Sequence, residues 1–165
     1  MALVKENAVL EDPYTKVVGR DDLPASGAII VDLDQWQANK DSLVGRTDPV
    51  GVQLRSDQPP EMIAEDLGSL AVVALEFPAF RDGRAYSYAR LLRDQYGFTG
   101  EVRAVGDVLL EQLHFMERTG FDAFELDSDD PLRELQIAAS DLNVWYQPSS
   151  DSRKTAIEHR HGRKD

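Results

Sequence analysis

The residues best suited to chemistry lie in the segment Phe80-Arg81-Asp82-Gly83-Arg84-Ala85-Tyr86-Ser87. It places a glycine, an arginine and a serine at a helix start, where unpaired backbone N–H groups favour anions. Arg84, Ser87 and Arg90 recur at a spacing of three and share roughly one helix face. Arg103, on the strand that follows, is placed to reach the same edge. Asp82, Gly83, Arg84, Ser87, Arg90 and Arg103 would together suit a ligand bearing sulfate, sulfite or phosphate. The same residues also describe a solvated helix face, with Asp82 a plain cap and the arginines paired to nearby acids.

Glu76 and Asp107 are the candidate catalytic residues, as a carboxylate pair for acid–base work. Ion pairs to Arg84 or Arg103 are the more economical use of them. Other chemistries are poorly served. With no cysteine, disulfides, thiolate nucleophiles, Cys-ligated zinc and an iron–sulfur cluster on the chain's own thiols are excluded. His114 falls on the polar edge of its helix, and His159 and His161 have no metal-ligand spacing. Asp127, Asp129 and Asp130 lack the loop glycine and final glutamate of a calcium-binding EF-hand. No Gly-rich dinucleotide fingerprint or Walker lysine follows a strand, and Ser87 is not on a nucleophile elbow.

The elements that must hold these residues follow from local signals. Around Val9-Leu10 and Val17-Val18, Asp12-Pro13 predicts a turn, hence an N-terminal hairpin or arm over residues 1–27. A strand is expected at Ala28–Val31, then a short helix through Trp36 to Leu43 capped by Asp34. Next come a strand Val50–Leu54, a short helix Pro60–Leu67 with proline in its first turn, and a buried strand Leu70–Leu75. Asp82 caps a helix from Arg84 to Tyr96, closed by Gly97, with Ala85, Ala89, Leu92 and Tyr96 on one face. After the strand Gly100–Val105, Asp107 caps a helix Val108–Thr119 that ends at Gly120, with Leu109, Leu110, Leu113 and Met116 as its core stripe. A strand Phe121–Leu126, a helix Pro131–Ser140 and a strand Leu142–Tyr146 complete an α/β domain over residues 28–147.

Such alternation with short connections implies right-handed crossovers and a mainly parallel sheet, either open or a half-barrel. There are too few units for an eight-fold barrel of about 250 residues. In parallel α/β folds ligands meet the strand C-termini, which picks out Glu76-Phe77-Pro78, Gly106-Asp107 and Glu125-Leu126-Asp127. The tail over residues 148–165 is polar and aperiodic, and is expected to be disordered.

The 165 residues carry 30 acidic and 18 basic side chains, a formal charge of −12. Arg153, Lys154, Arg160, Arg163 and Lys164 sit in the tail, so the body is more acidic than the total suggests. That balance disfavours nucleic acid as a partner. No apolar run approaches the roughly 20 residues of a membrane span, and Met1–Asn7 is too polar for a secretory signal. A cytoplasmic bacterial protein is the expectation.

Leu75-Glu76-Phe77-Pro78-Ala79-Phe80, Asp82-Gly83-Arg84, Tyr86-Ser87 and Ala89-Arg90-Leu91-Leu92-Arg93 form an ordered series. It continues through Gly97-Phe98, Gly100-Glu101-Val102-Arg103-Ala104, Gly106-Asp107-Val108-Leu109, Gln112-Leu113, Phe115-Met116 and Gly120-Phe121-Asp122-Ala123-Phe124-Glu125-Leu126. The series resembles one bacterial domain-of-unknown-function family, described as oxidoreductases of sulfite reduction and encoded beside the haem sulfite reductase. The resemblance implies a place in assimilatory sulfate reduction without implying catalytic residues. Thr119 stands where some relatives carry cysteine, so a redox thiol there is no general feature. Three readings follow. The chain is an accessory protein that binds sulfite reductase or its electron donor; or an oxidoreductase using a flavin or NADPH held by the strand ends and Arg84; or a structural module that forms a homo-oligomer through a sheet edge.

Overall fold

The computed structural model describes residues 2–6, 8–19, 22–128, 131 and 133. These residues form a single α/β domain whose eight-stranded, mostly parallel sheet curls into a half-barrel. An antiparallel hairpin comes first, β1 (Ala2–Lys5) and β2 (Ala8–Leu10). The parallel set follows: β3 (Thr15–Lys16), β4 (Ile29–Asp32), β5 (Val50–Leu54), β6 (Val72–Phe77), β7 (Glu101–Gly106) and β8 (Ala123–Leu126). The sheet order is β2-β1-β8-β7-β6-β5-β4-β3, because β1 returns antiparallel against β8.

Chain connectivity forces the curl. β2 and β3 are the two sheet edges, and in a flat sheet seven spacings would separate them by roughly 34 Å. The five residue steps from Leu10 to Thr15 reach at most about 18 Å. The segment Glu11–Tyr14 is therefore a strap from one edge to the other. The hairpin turn lies earlier, at Glu6, which takes a left-handed φ of 52°. Asp12-Pro13, expected to mark the turn of a hairpin or an arm, lies in the strap. Five flat spacings, roughly 24 Å, would likewise part β3 from β8, yet Lys16 and Glu125 form an ion pair across the inside.

Because each parallel strand lies beside its predecessor, right-handed crossovers put the connecting helices on one face. These are α1 (Leu33–Val44), a 3₁₀ segment (Pro60–Ser69), α2 (Arg84–Arg90) prolonged by a π turn (Leu91–Gln95), and α3 (Leu113–Thr119) after a 3₁₀ turn (Leu110–Gln112). Val73, Leu75 and Phe77 of β6 meet Trp36, Ile63, Ala85, Ala89, Leu92, Leu113 and Met116 in this outer, main core. Val72 and Ala74 point inward to a smaller cluster with Ile30, Val105 and Tyr14.

Several boundaries differ from expectation for local reasons. Asp32, rather than Asp34, caps α1: its carboxylate accepts the Gln35 N–H, and its own N–H donates in return to Gln35 Oε1. The Arg84–Tyr96 helix passes into π geometry at Leu91. Asp107 does not cap a helix from Val108, because its carboxylate accepts the N–H of Phe80 and α3 begins only at Leu113. Leu113 and Met116 are buried as expected, whereas Leu109 and Leu110 are half-buried. Gly120 is the left-handed cap foreseen, at φ 112°. The expected helix to Ser140 (Pro131 and Arg133 apart), the strand Leu142–Tyr146, the tail, and Asp129, Asp130, His159 and His161 lie outside the described residues.

Candidate functional site at the C-terminal rim

The β6–α2 and β7–α3 loops form the rim of the half-barrel at the strand C-termini. Gly106 ends β7 at φ 92°, and a Cβ there would stand 2.4 Å from the Phe77 carbonyl oxygen. Only glycine fits so close a passage. The turn lets the Asp107 N–H reach that carbonyl at 2.8 Å and turns the Asp107 carboxylate onto the Phe80 N–H at 2.9 Å. On its other side the Phe80 carbonyl accepts a bond from Gln112 Nε2 at 3.3 Å. A loop tied at both ends thus presents a phenyl ring that is 51% exposed.

Arg84 does not face an empty anion site. Its Nε and Nη2 bond the Asp82 carboxylate at 2.9 and 2.6 Å, and Nη2 also donates to Ser56 Oγ at 2.9 Å. The Arg84 guanidinium holds the Asp82 carboxyl well below the usual carboxylate range. Tyr88 adds a bond to the Ser56 carbonyl, tying α2 to the segment after β5. Gly83 stands at the α2 N-cap and provides no side chain to the cap. Farther along, Arg90 pairs with Asp94 at 3.0 Å, and both line an open groove with Ser87, Leu91 and Gln95.

Arg103 is on the other side of the sheet. Glu101, Arg103 and Val105 of β7 alternate inward, and Arg103 is 0% exposed. It bonds Asp12 at 2.7 Å, Glu101 at 2.9 Å and Glu125 at 3.3 Å, while Tyr14 of the strap stacks over the guanidinium at 5.4 Å. Lys5 adds an ion pair to Glu101 and Lys16 one to Glu125. Three cations thus pair with three carboxylates inside the barrel. Burial lowers the Arg103 pKa, but the hydrogen bonds and charges of Asp12 and Glu101 outweigh it and raise the pKa. Burial also raises the Tyr14 phenol, with Glu101 adding to it.

The structure thus groups Asp82 and Arg84, places Ser87 and Arg90 in a separate groove, and assigns Arg103 to an internal ion network. Glu76 faces the inside beside Val105, half-buried, with no partner among the described residues. Glu76 and Asp107 share no hydrogen bond, and neither pairs with Arg84 or Arg103. Glu125 belongs to the internal network, and Asp127 is exposed beyond β8. Among the described residues no group of three His, Cys, Asp or Glu could hold a metal ion, and no helix is long and apolar enough to cross a membrane.

Two features were missed from sequence. The network could have been suspected from Glu101-Val102-Arg103-Ala104, where opposite charges two residues apart must share one strand face. The second is a pair of exposed rings, Phe80 and Phe115, the latter 56% exposed and resting edge-on against Tyr86 at 4.9 Å. Phenylalanines in an apolar pattern are expected inside, so nothing in the sequence marked them.

No curated protein matches the chain. A family model matches residues 51–157, which takes in β5 from its second residue, β6 to β8 and both rim loops. On that match the chain belongs to the family of bacterial proteins of unknown function termed DUF934.

Proposed function

We propose that this protein works by binding, as an accessory protein of assimilatory sulfite reduction that docks on sulfite reductase or on its electron donor. The observation that carries the binding role is the engagement of the charged candidates. Asp82 and Ser56 hold Arg84, Asp107 positions the Phe80 loop, and three carboxylates hold Arg103. Side chains used this way hold the rim and the interior in shape rather than act on a substrate. The pathway rests on the resemblance of the Leu75–Leu126 series alone, since the family match is to proteins of unknown function. A formal charge of −12 favours steered encounter with a basic protein face.

Mixing the purified protein with purified haem sulfite reductase, and separately with the reductase's electron donor, tests the reading. Co-elution by size exclusion at low ionic strength, weakened at high ionic strength, is expected with one of them. Separate elution from both at either ionic strength would end the proposal.

One observation favours a second reading. Glu76 is half-buried and without a partner among the described residues, at a strand C-terminus, the place where an α/β protein holds a ligand. A flavin- or NADPH-dependent oxidoreductase would use that mouth. It predicts a flavin absorbance spectrum or sulfite-dependent NADPH consumption by the purified protein alone.

A further inference from the structure

Phe80 and Phe115 are the two most exposed large apolar side chains among the described residues. They come from different units, the β6–α2 loop and α3, yet share one stretch of surface. Gln112 bonds the Phe80 carbonyl and stands one helical turn before Phe115. The backbone beneath Phe80 and the ring of Phe115 are both held. Asp107 and Gln112 fix the loop on both sides of Phe80, and Phe115 leans on Tyr86, which leans in turn on buried Phe77 at 5.2 Å. Two exposed rings projecting from anchored backbone match the residues that dominate interfaces, because little backbone ordering entropy remains to be lost on binding.

Charge indicates the occupant. Asp82, Asp107 and Glu111 flank the rings against Arg84, which pairs with Asp82, and Arg81, whose guanidinium stacks on Phe80 at 5.9 Å, so the surroundings keep a net acidic charge. Copies of a chain carrying −12 repel one another, which disfavours a second copy at this face. We infer that Phe80 and Phe115 anchor a docking face for a protein partner that offers an apolar recess for the two rings within a basic rim. This inference rests on the docking reading above and names the face that performs it.

The test places photoreactive benzoylphenylalanine at Phe80, at Phe115 and, as a control, at exposed Val44 on α1, in the full chain in bacteria growing on sulfate. Adducts from positions 80 and 115, absent from 44, with sulfite reductase or its electron donor are expected. Phe80→Ser, which removes an exposed ring and leaves the core intact, should weaken the same complex in vitro roughly thirty-fold. Adducts from 80 and 115 with a different, identified basic protein would uphold the face and overturn the pathway. Adducts with the reductase or donor from position 44 alone would uphold the pathway and overturn the face. A homodimeric adduct, an adduct to the chain's own residues 134–165, or no adduct from 80 and 115 would overturn the inference.

Discussion

Arg103 shows how a residue that looks like a ligand-binding arginine becomes part of the architecture. Its guanidinium joins the strap through Asp12 to β7 and β8 through Glu101 and Glu125. Removing one member of a buried ion pair costs about 3–5 kcal/mol, since the partners remain buried without compensation. Arg103→Ala should therefore lose stability of that order in urea denaturation, and a loss under about 1 kcal/mol would show the network to be incidental. Asp66 gives a pH-dependent counterpart. Burial opposes its charge, but hydrogen bonds from Lys40 and Trp36 outweigh burial and hold its pKa below the ordinary value. A depressed carboxylate stabilises the fold above its unfolded pKa and loses that contribution as pH falls through the folded one. Asp66→Asn should thus be less stable than wild type at about pH 7, with the gap closing as pH falls through the lowered pKa of the folded carboxylate. A gap that stays constant with pH would contradict the assignment. The network itself was only half legible, because alternation shows that Glu101 and Arg103 share a face while Asp12 reaches them across 91 residues of chain.

At the scale of elements, the signals that were read correctly are local ones. The strand Val50–Leu54 and the glycine stop at Gly120 are set by neighbours within a few residues. What escaped depends on distant groups. Asp107 looks like a cap for the next helix, and only the fold shows that its carboxylate serves Phe80, 27 residues earlier. Asp12-Pro13 looks like a hairpin turn until β1 is seen to pair with β8, which makes the segment a strap and decides the half-barrel over the open sheet. The rim depends most on Gly106, where φ is positive and the Phe77 backbone stands in the place of a Cβ. Gly106→Ala should destabilise by about 1–3 kcal/mol and speed hydrogen exchange at the Phe80 and Asp107 amides. Unchanged exchange at those two amides would show that the turn does not organise the rim.

For the molecule as a whole, the half-barrel divides its labour between two faces. The outer face and its helices supply the main apolar core, while the inside is held by paired charges under the strap. The engaged charges of the rim leave projecting aromatic rings as its most available feature. A complex steered by acidic charge should form more slowly as salt rises, with its association rate falling at least about ten-fold between low and high ionic strength. A salt-independent rate would assign recognition to apolar contact alone. Co-purification tests the central claim most directly: the tagged protein is recovered from its bacterial host growing on sulfate as the sole sulfur source, and the eluate is identified by mass spectrometry. The docking account predicts sulfite reductase or its electron donor in stoichiometric amount. Recovery of the protein alone, or with a bound flavin and no partner, would contradict it.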